Sequence, residues 1–294
     1  MRYIFFRLGA IATDIAYVLS SEYKIPNRRK LLCDYLRLRV KAFLNQWIDF
    51  KTERFLSFVV VFDNYSLFFE TFRQVFIRHS YYFNTNSPAP IIIDCGGNAG
   101  MSVLYFKYLF PKSKITVFEP STSIQPVIRE NLKRNNIVDV TLEPYAVSKT
   151  DGTASFYDRG PGSCGNTLME TVFDTTIQKG GTKEEKTHTV TTRRLSPYIK
   201  SDIDLLKLDI EGAEGMVVEE LHKANVLGKI KTIVMEYHYY PANTENYLGN
   251  MLSVFEKENR AYQIYLDELI PGSSILLSEK SGYYTLIRSM VAKK

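Results

Sequence analysis

The run that most constrains this chain is Ile91-Ile92-Ile93-Asp94-Cys95-Gly96-Gly97-Asn98-Ala99-Gly100. Three consecutive β-branched residues with no polar alternation suit a central strand buried on both faces of a parallel sheet, and Pro88 and Pro90 mark its start. Glycines at 96, 97 and 100 then allow a turn in which a ligand lies against the main chain without meeting a Cβ. Met101 to Phe110 reads as a mostly buried helix through Val103, Leu104, Phe106, Tyr108 and Leu109, its free N–H groups facing the same ligand, and Pro111 stops it. A second strand, Ile115 to Phe118, ends in Glu119-Pro120. An acidic side chain thus stands at the carboxyl edge of the neighbouring strand, where open α/β sheets bind nucleotides.

The glycine spacing separates the cofactor readings. A dinucleotide fingerprint laid from Gly96 needs glycines at 98 and 101, where the chain has Asn98 and Met101, and no Gly-Lys-Ser/Thr follows to make a P-loop. What remains is Asp-x-Gly-x-Asn-x-Gly followed by a strand-end Glu. It resembles the first motifs of the S-adenosylmethionine-dependent methyltransferases with the Rossmann-like fold. An ordinary βα turn is the competing reading.

Length and composition set the frame for this unit. At 294 residues and 45% hydrophobic content the chain can bury a full core, and one large domain with an extension fits better than two equal domains. A formal charge of +5 is modest, and no nucleic-acid module stands out. Cysteines 33, 95 and 164 give neither zinc spacing nor a disulfide framework, which favours a reducing, cytoplasmic setting. Cys95 reads as a small buried filler.

Residues 1–55 read as a helical extension and 56–294 as the cofactor-binding domain. Ile4, Leu8, Ile11, Ile15 and Val18 fall at helical spacing, with Arg7 and Asp14 interrupting any continuous apolar run, so neither a membrane span nor a signal peptide is expected. Arg28-Arg29-Lys30 open a second periodic segment through Leu31, Leu32, Tyr35, Leu38 and Phe43. Its basic residues could touch an anionic membrane surface. A helical cap with solvated charges is the favoured reading. Phe55 to Phe62 reads as strand, and Asn64 to His79 as a helix whose aromatic face packs in the core.

Strand and helix alternate after Glu119: a helix over 124–134, a strand over 138–142, and then Glu143 to Val147 at the next strand end. The segment from Asp151 to Gly181 is rich in turn formers and reads as a substrate-facing loop or a surface insertion. Glu185 to Leu195 alternates as a strand, with His188 structural. The second informative stretch is Ile203-Asp204-Leu205-Leu206-Lys207-Leu208-Asp209-Ile210-Glu211-Gly212-Ala213-Glu214. A strand delivers Asp209 to its carboxyl end, and three carboxylates, at 209, 211 and 214, crowd one turn and helix start. The strand from Ile230 to Met235 ends in Glu236-Tyr237-His238, and a helix from about 244 to 259 leads to strands near 262–266 and 283–288.

Asp94-x-Gly-x-Asn98-x-Gly100, Val117-Phe118-Glu119-Pro120, the 205–214 run and Met235-Glu236-Tyr237-His238 together resemble the FkbM-type methyltransferases. The likeness runs from about residue 55 to 240 and beyond, with one departure at Leu195-Ser196-Pro197, where the family often carries Leu-Asp-Asp. It implies a seven-stranded Rossmann-like α/β sheet of the class I methyltransferases with helices on both faces. It also implies S-adenosylmethionine as cofactor and O-methylation of a hydroxyl on a sugar, glycan or other small natural product. Asp94, Gly96, Gly97, Asn98, Gly100, Glu119, Pro120, Ala146 and Asp209 are the implied cofactor contacts, with Glu119 accepting from both ribose hydroxyls. Strand ends should bring Asp209, Glu236 and His238 together, with His238 suited to remove a proton. Asp209 and Glu236 could orient His238 or, with it, hold a divalent cation such as Mg²⁺ that lowers the acceptor's pKa. His238 and Tyr237 merely bonding the loop before Pro241 is the plainer alternative. A cofactor-binding module without turnover, docked to a membrane or assembly through residues 1–55, is the alternative for the whole chain.

Overall fold

The computed structural model describes residues 2–20, 23–158, 168, 186–239, 248–265 and 283–291. Helices α1 (Arg2–Ser20) and α2 (Arg28–Leu44) come first. The expected single strand over 55–62 is a hairpin, β1 (Thr52–Phe55) and β2 (Phe58–Val61), because Leu56 turns the chain with φ 52° and Phe55 pairs with Phe58. Asn64 caps α3 (Tyr65–Phe72) by accepting from the Leu67 N–H at 3.1 Å. The chain then widens into a π-turn over Arg73–Ile77 instead of continuing as α-helix to His79.

The main sheet is built from β3 (Ile91–Cys95), β4 (Lys114–Phe118), β5 (Val140–Glu143), β9 (Ile203–Leu208), β10 (Ile230–Tyr239), β11 (Arg260–Tyr265) and β12 (Tyr283–Val291). Its order is β11-β12-β10-β9-β3-β4-β5, parallel from β10 to β5, with β12 antiparallel to both neighbours. This is the expected seven-stranded Rossmann-like sheet. The strand expected from residue 138 begins at Val140, since Val138 is 85% exposed. Helices α4 (Met101–Leu109), α5 (Gln125–Arg134), α6 (Glu214–Lys223) and α7 (Leu248–Lys257) connect the strands. A smaller sheet holds β6 (Ala146–Val147), β7 (Gly152–Asp158) and β8 (Lys186–Arg193), so the start of the presumed 151–181 loop is a strand paired with β8. The remainder of that segment lies outside the described residues except Leu168, as do residues 240–247 at the start of the expected 244–259 helix.

All six side chains of β9 are buried, as a strand covered on both faces requires. Alternation sends Ile92 and Leu205 into one core and Ile93, Leu206 and Leu208 into the other. The first core also takes in Val18, Leu31, Tyr35 and Leu38 together with Phe55, Phe72 and Phe76, so α1 and α2 pack into the same interior as the sheet. Buried Asp14 ties them there: it accepts from Tyr35 Oη at 2.7 Å, Arg73 Nε at 2.6 Å and Arg78 Nε at 2.8 Å. The sheet order reverses at β3, which lies between β4 and β9, and the chain leaves β3 and β9 toward opposite flanks. A crevice at the carboxyl ends follows from that topology.

Candidate active site

Backbone contacts fix the turn after β3. The N–H groups of Gly96 and Gly97 both donate to the Phe118 carbonyl, at 3.0 and 3.1 Å, and the Asp209 N–H donates to the Cys95 carbonyl at 3.1 Å. Gly96 has φ +90°, and a Cβ there would stand 1.9 Å from the Asp209 carbonyl oxygen. One on Gly97 would stand 2.4 Å from Val117 Cγ1. Both glycines are therefore demanded by close approach of the neighbouring strands' ends.

Glu119 sits beneath this turn, almost wholly buried, accepting from the Asn98 N–H at 2.9 Å through Oε2 and the Ser121 N–H at 3.0 Å through Oε1. Burial pushes its carboxyl up to about 7 against the pull of those two donors. Gly96, Asn98, Glu119, Pro120, Ala146 and Asp209 line one cleft of about 650 Å³, open mouth included, with Tyr145, Phe156 and Glu211 among its other walls. Asp94, Gly97 and Gly100 lie behind that surface and shape the turn.

Asp94 is held from below. Its carboxylate accepts from the Ser102 hydroxyl and pairs with Lys207 Nζ at 3.1 Å, both residues buried. Lys207 also donates to the Gly96 carbonyl at 2.8 Å and reaches Asp209 Oδ2 at 3.4 Å, so one ammonium joins the ends of β3 and β9. Burial alone would lower the lysine, but Asp94 and Asp209 carry it well above its ordinary value, and it stays charged. Burial raises Asp94, while Lys207 and Ser102 pull it back.

Tyr81, from the segment after the π-turn, points its hydroxyl at Asp209 Oδ2 (3.0 Å) and Glu236 Oε1 (2.9 Å), and Gln74 Nε2 donates to the same Glu236 oxygen. One hydroxyl hydrogen serves one carboxylate at a time, so Tyr81 joins the two acids without satisfying both. Burial, then the charge of Asp209, pushes Glu236 up to about 8. His238 is buried with Nδ1 3.0 Å from Glu214 Oε1 and Nε2 3.4 Å from Glu211 Oε2. Glu214 is itself fixed by the N–H groups of Ile210 and Gly212 at 3.1 and 3.2 Å. Burial works against a charged ring here, but Glu211 and Glu214 outweigh it and hold the imidazole well above its usual value.

Of the expected cluster, Asp209 and Glu236 meet through Tyr81, and Asp209 lies close to His238. The ligand atoms that converge within 4.8 Å of one another are those of Asp209, Glu211 and His238, with Glu211 in place of the expected Glu236. Glu236 is engaged instead by Tyr81 and Gln74. Tyr81 and Gln74 carried no signal in the sequence, since each lies more than 120 residues from the carboxylates it meets. Glu211 was legible as a member of the crowded turn, where it adopts φ 55°.

The profile of the Methyltransferase FkbM domain matches residues 94–264, more than half of the chain. The chain belongs to the FkbM methyltransferase family. Methyltransferase 1 of Beauveria bassiana is 29% identical over 166 residues, covering 51% of this chain and 65% of that protein. The 2-O-methyltransferase NoeI of Sinorhizobium fredii is 29% identical over 168 residues, covering 51% and 64%. The chain thus matches just under two thirds of the length of these relatives. The crystal structure of Methyltransferase FkbM from Methylobacillus flagellatus KT is 14% identical, with a TM-score of 0.45, covering 87% of this chain and 60% of that one.

Proposed function

We propose that this chain transfers a methyl group from S-adenosylmethionine to a hydroxyl of a sugar, a glycan or another small natural product. The observation that carries the reading is one cleft walled by the Gly96–Asn98 turn, buried Glu119 and Asp209, with His238 reached through Glu211. These residues fit the cofactor: the glycine turn brings Gly96 and Asn98 to the cleft wall, and Glu119 offers a carboxylate beside them. Asp209 and the turn would hold the amino-acid end, Glu119 the ribose hydroxyls, and the Tyr145–Ala146 segment the base. The cofactor supplies an activated sulfonium methyl, and the protein's task is to align an acceptor oxygen with it. The likeness to NoeI, a 2-O-methyltransferase, supports a hydroxyl acceptor. Incubation with methyl-labelled cofactor and a panel of sugars, glycans and polyketides tests the proposal. Absence of both cofactor binding and transfer would reject it.

Glu119→Ala is expected to weaken S-adenosylmethionine and S-adenosylhomocysteine alike by roughly tenfold or more, about 1.4 kcal/mol. Titration calorimetry measures it, and equal affinities for wild type and variant would remove the ribose role.

In this reading His238 takes the acceptor's proton through Nε2 while Glu214 holds Nδ1. The ring must be neutral to do so, and its proton is held above the ordinary histidine value of about 6.5. Turnover is therefore expected to rise with pH along a limb above neutrality. Glu211→Gln removes one of the charges that raise the ring, so its limb should move toward acid. A pH–rate profile unmoved by Glu211→Gln would count against this assignment.

A further inference from the structure

Helix α2 has two apolar faces. Leu31, Tyr35 and Leu38 enter the core, but at about 100° per residue Leu36, Val40, Phe43 and Trp47 line up on the opposite side. Trp47 belongs to the turn that prolongs the helix, its N–H donating to the Leu44 carbonyl at 2.9 Å. With Ile48 these side chains are 45 to 67% exposed, and Trp47 is the only tryptophan in the chain. Scattered apolar residues on a surface need no explanation, but four large ones in a stripe, with Ile48 just after them, mark a place of contact.

The charges around the stripe say what it contacts. Arg29 stands in line with it; Lys30 and Arg37 flank one edge, both paired with Asp34 and Arg37 also with Glu53, and Arg28 and Arg39 flank the other, Arg28 donating to the Val18 and Leu19 carbonyls. Residues 28–54 hold 8 Lys and Arg against 3 Asp and Glu, the same +5 carried by the whole chain, so the remainder is formally neutral. Two copies meeting face to face would oppose like charges. An apolar stripe with aromatic members and basic edges matches a surface of apolar depth and anionic headgroups, into which long cationic side chains reach from the boundary. No helix among the described residues is long and apolar enough to cross a membrane.

We infer that α2 and the turn after it dock this protein onto an anionic lipid bilayer, with Val40, Phe43 and Trp47 entering the headgroup region and Arg29 meeting lipid phosphates. Because Trp47 is the sole tryptophan, its emission reports the event directly. Full-length chain should pellet with phosphatidylglycerol-containing vesicles at least tenfold more than with pure phosphatidylcholine, and its emission should shift to shorter wavelength. Salt should weaken the binding. Val40→Ser combined with Phe43→Ser should abolish pelleting at an unchanged thermal midpoint, and Arg29→Glu, a milder change on an exposed site, should reduce it several-fold. Equal binding to both vesicle types, or no shift with anionic vesicles, overturns the inference. So does a lipid-free shift that grows with protein concentration alongside a dimer in sedimentation, which would assign the stripe to a second copy.

Discussion

Lys207→Met is expected to lower the free energy of unfolding by roughly 3 to 5 kcal/mol, the range for breaking a buried ion pair from one side. The ammonium is the only cation against Asp94 among the described residues, and Asp94 is fully buried. Without it one carboxylate loses its counter-charge, and the Gly96 carbonyl loses a donor at 2.8 Å. Urea unfolding of the two proteins gives the difference. Adding Asp94→Asn should recover part of the loss, because a neutral amide leaves no unpaired charge in the core. A loss below about 1 kcal/mol, as for an exposed pair, would mean that water reaches Asp94. Cofactor affinity should fall with stability, since the same ammonium fixes the turn that forms the cleft wall.

The second large effect is on turnover. His238→Ala should lower the methyl-transfer rate by roughly a hundredfold, the lower end for loss of a general base, while cofactor affinity stays within a few-fold. Glu214→Gln should reproduce part of the loss, because Glu214 holds Nδ1 and is itself pinned by two backbone N–H groups. Stopped-time assays with labelled cofactor, beside calorimetry on the same preparations, separate the two quantities. Wild-type turnover in His238→Ala would move the base to Asp209 or Glu211.

The sheet was legible where strands are buried on both faces. Ile91–Ile93 and Leu205–Leu208 are apolar apart from Lys207, and they lead directly into Asp94 and Asp209. Lys207 itself could be read only as part of a motif; its place as a hub depends on a partner 113 residues earlier, Asp94. The hairpin at 52–61 was hidden because Leu56 adopts a left-handed angle that leucine rarely signals. Gln74 falls within the expected 64–79 helix and Tyr81 just beyond it, and neither carried a signal of its own. Only the docking of that helix against β10 gives them Glu236. The outward stripe of α2 was half visible: Phe43 was counted with the inward residues, and the structure turns it out.

The π-turn at Arg73–Ile77 bears on how the gene can change. Such a turn holds about one residue more than an α-helical one, so losing a single in-frame codon there would let the segment relax to ordinary helix. Residues beyond the turn would keep their direction, whereas the same loss from a regular α-helix would rotate them by about 100°. Gln74 lies inside the turn and Tyr81 just after it, and both reach Glu236. A one-codon deletion is therefore better tolerated in this turn than elsewhere in the helix, since Tyr81, beyond it, keeps its direction toward Glu236.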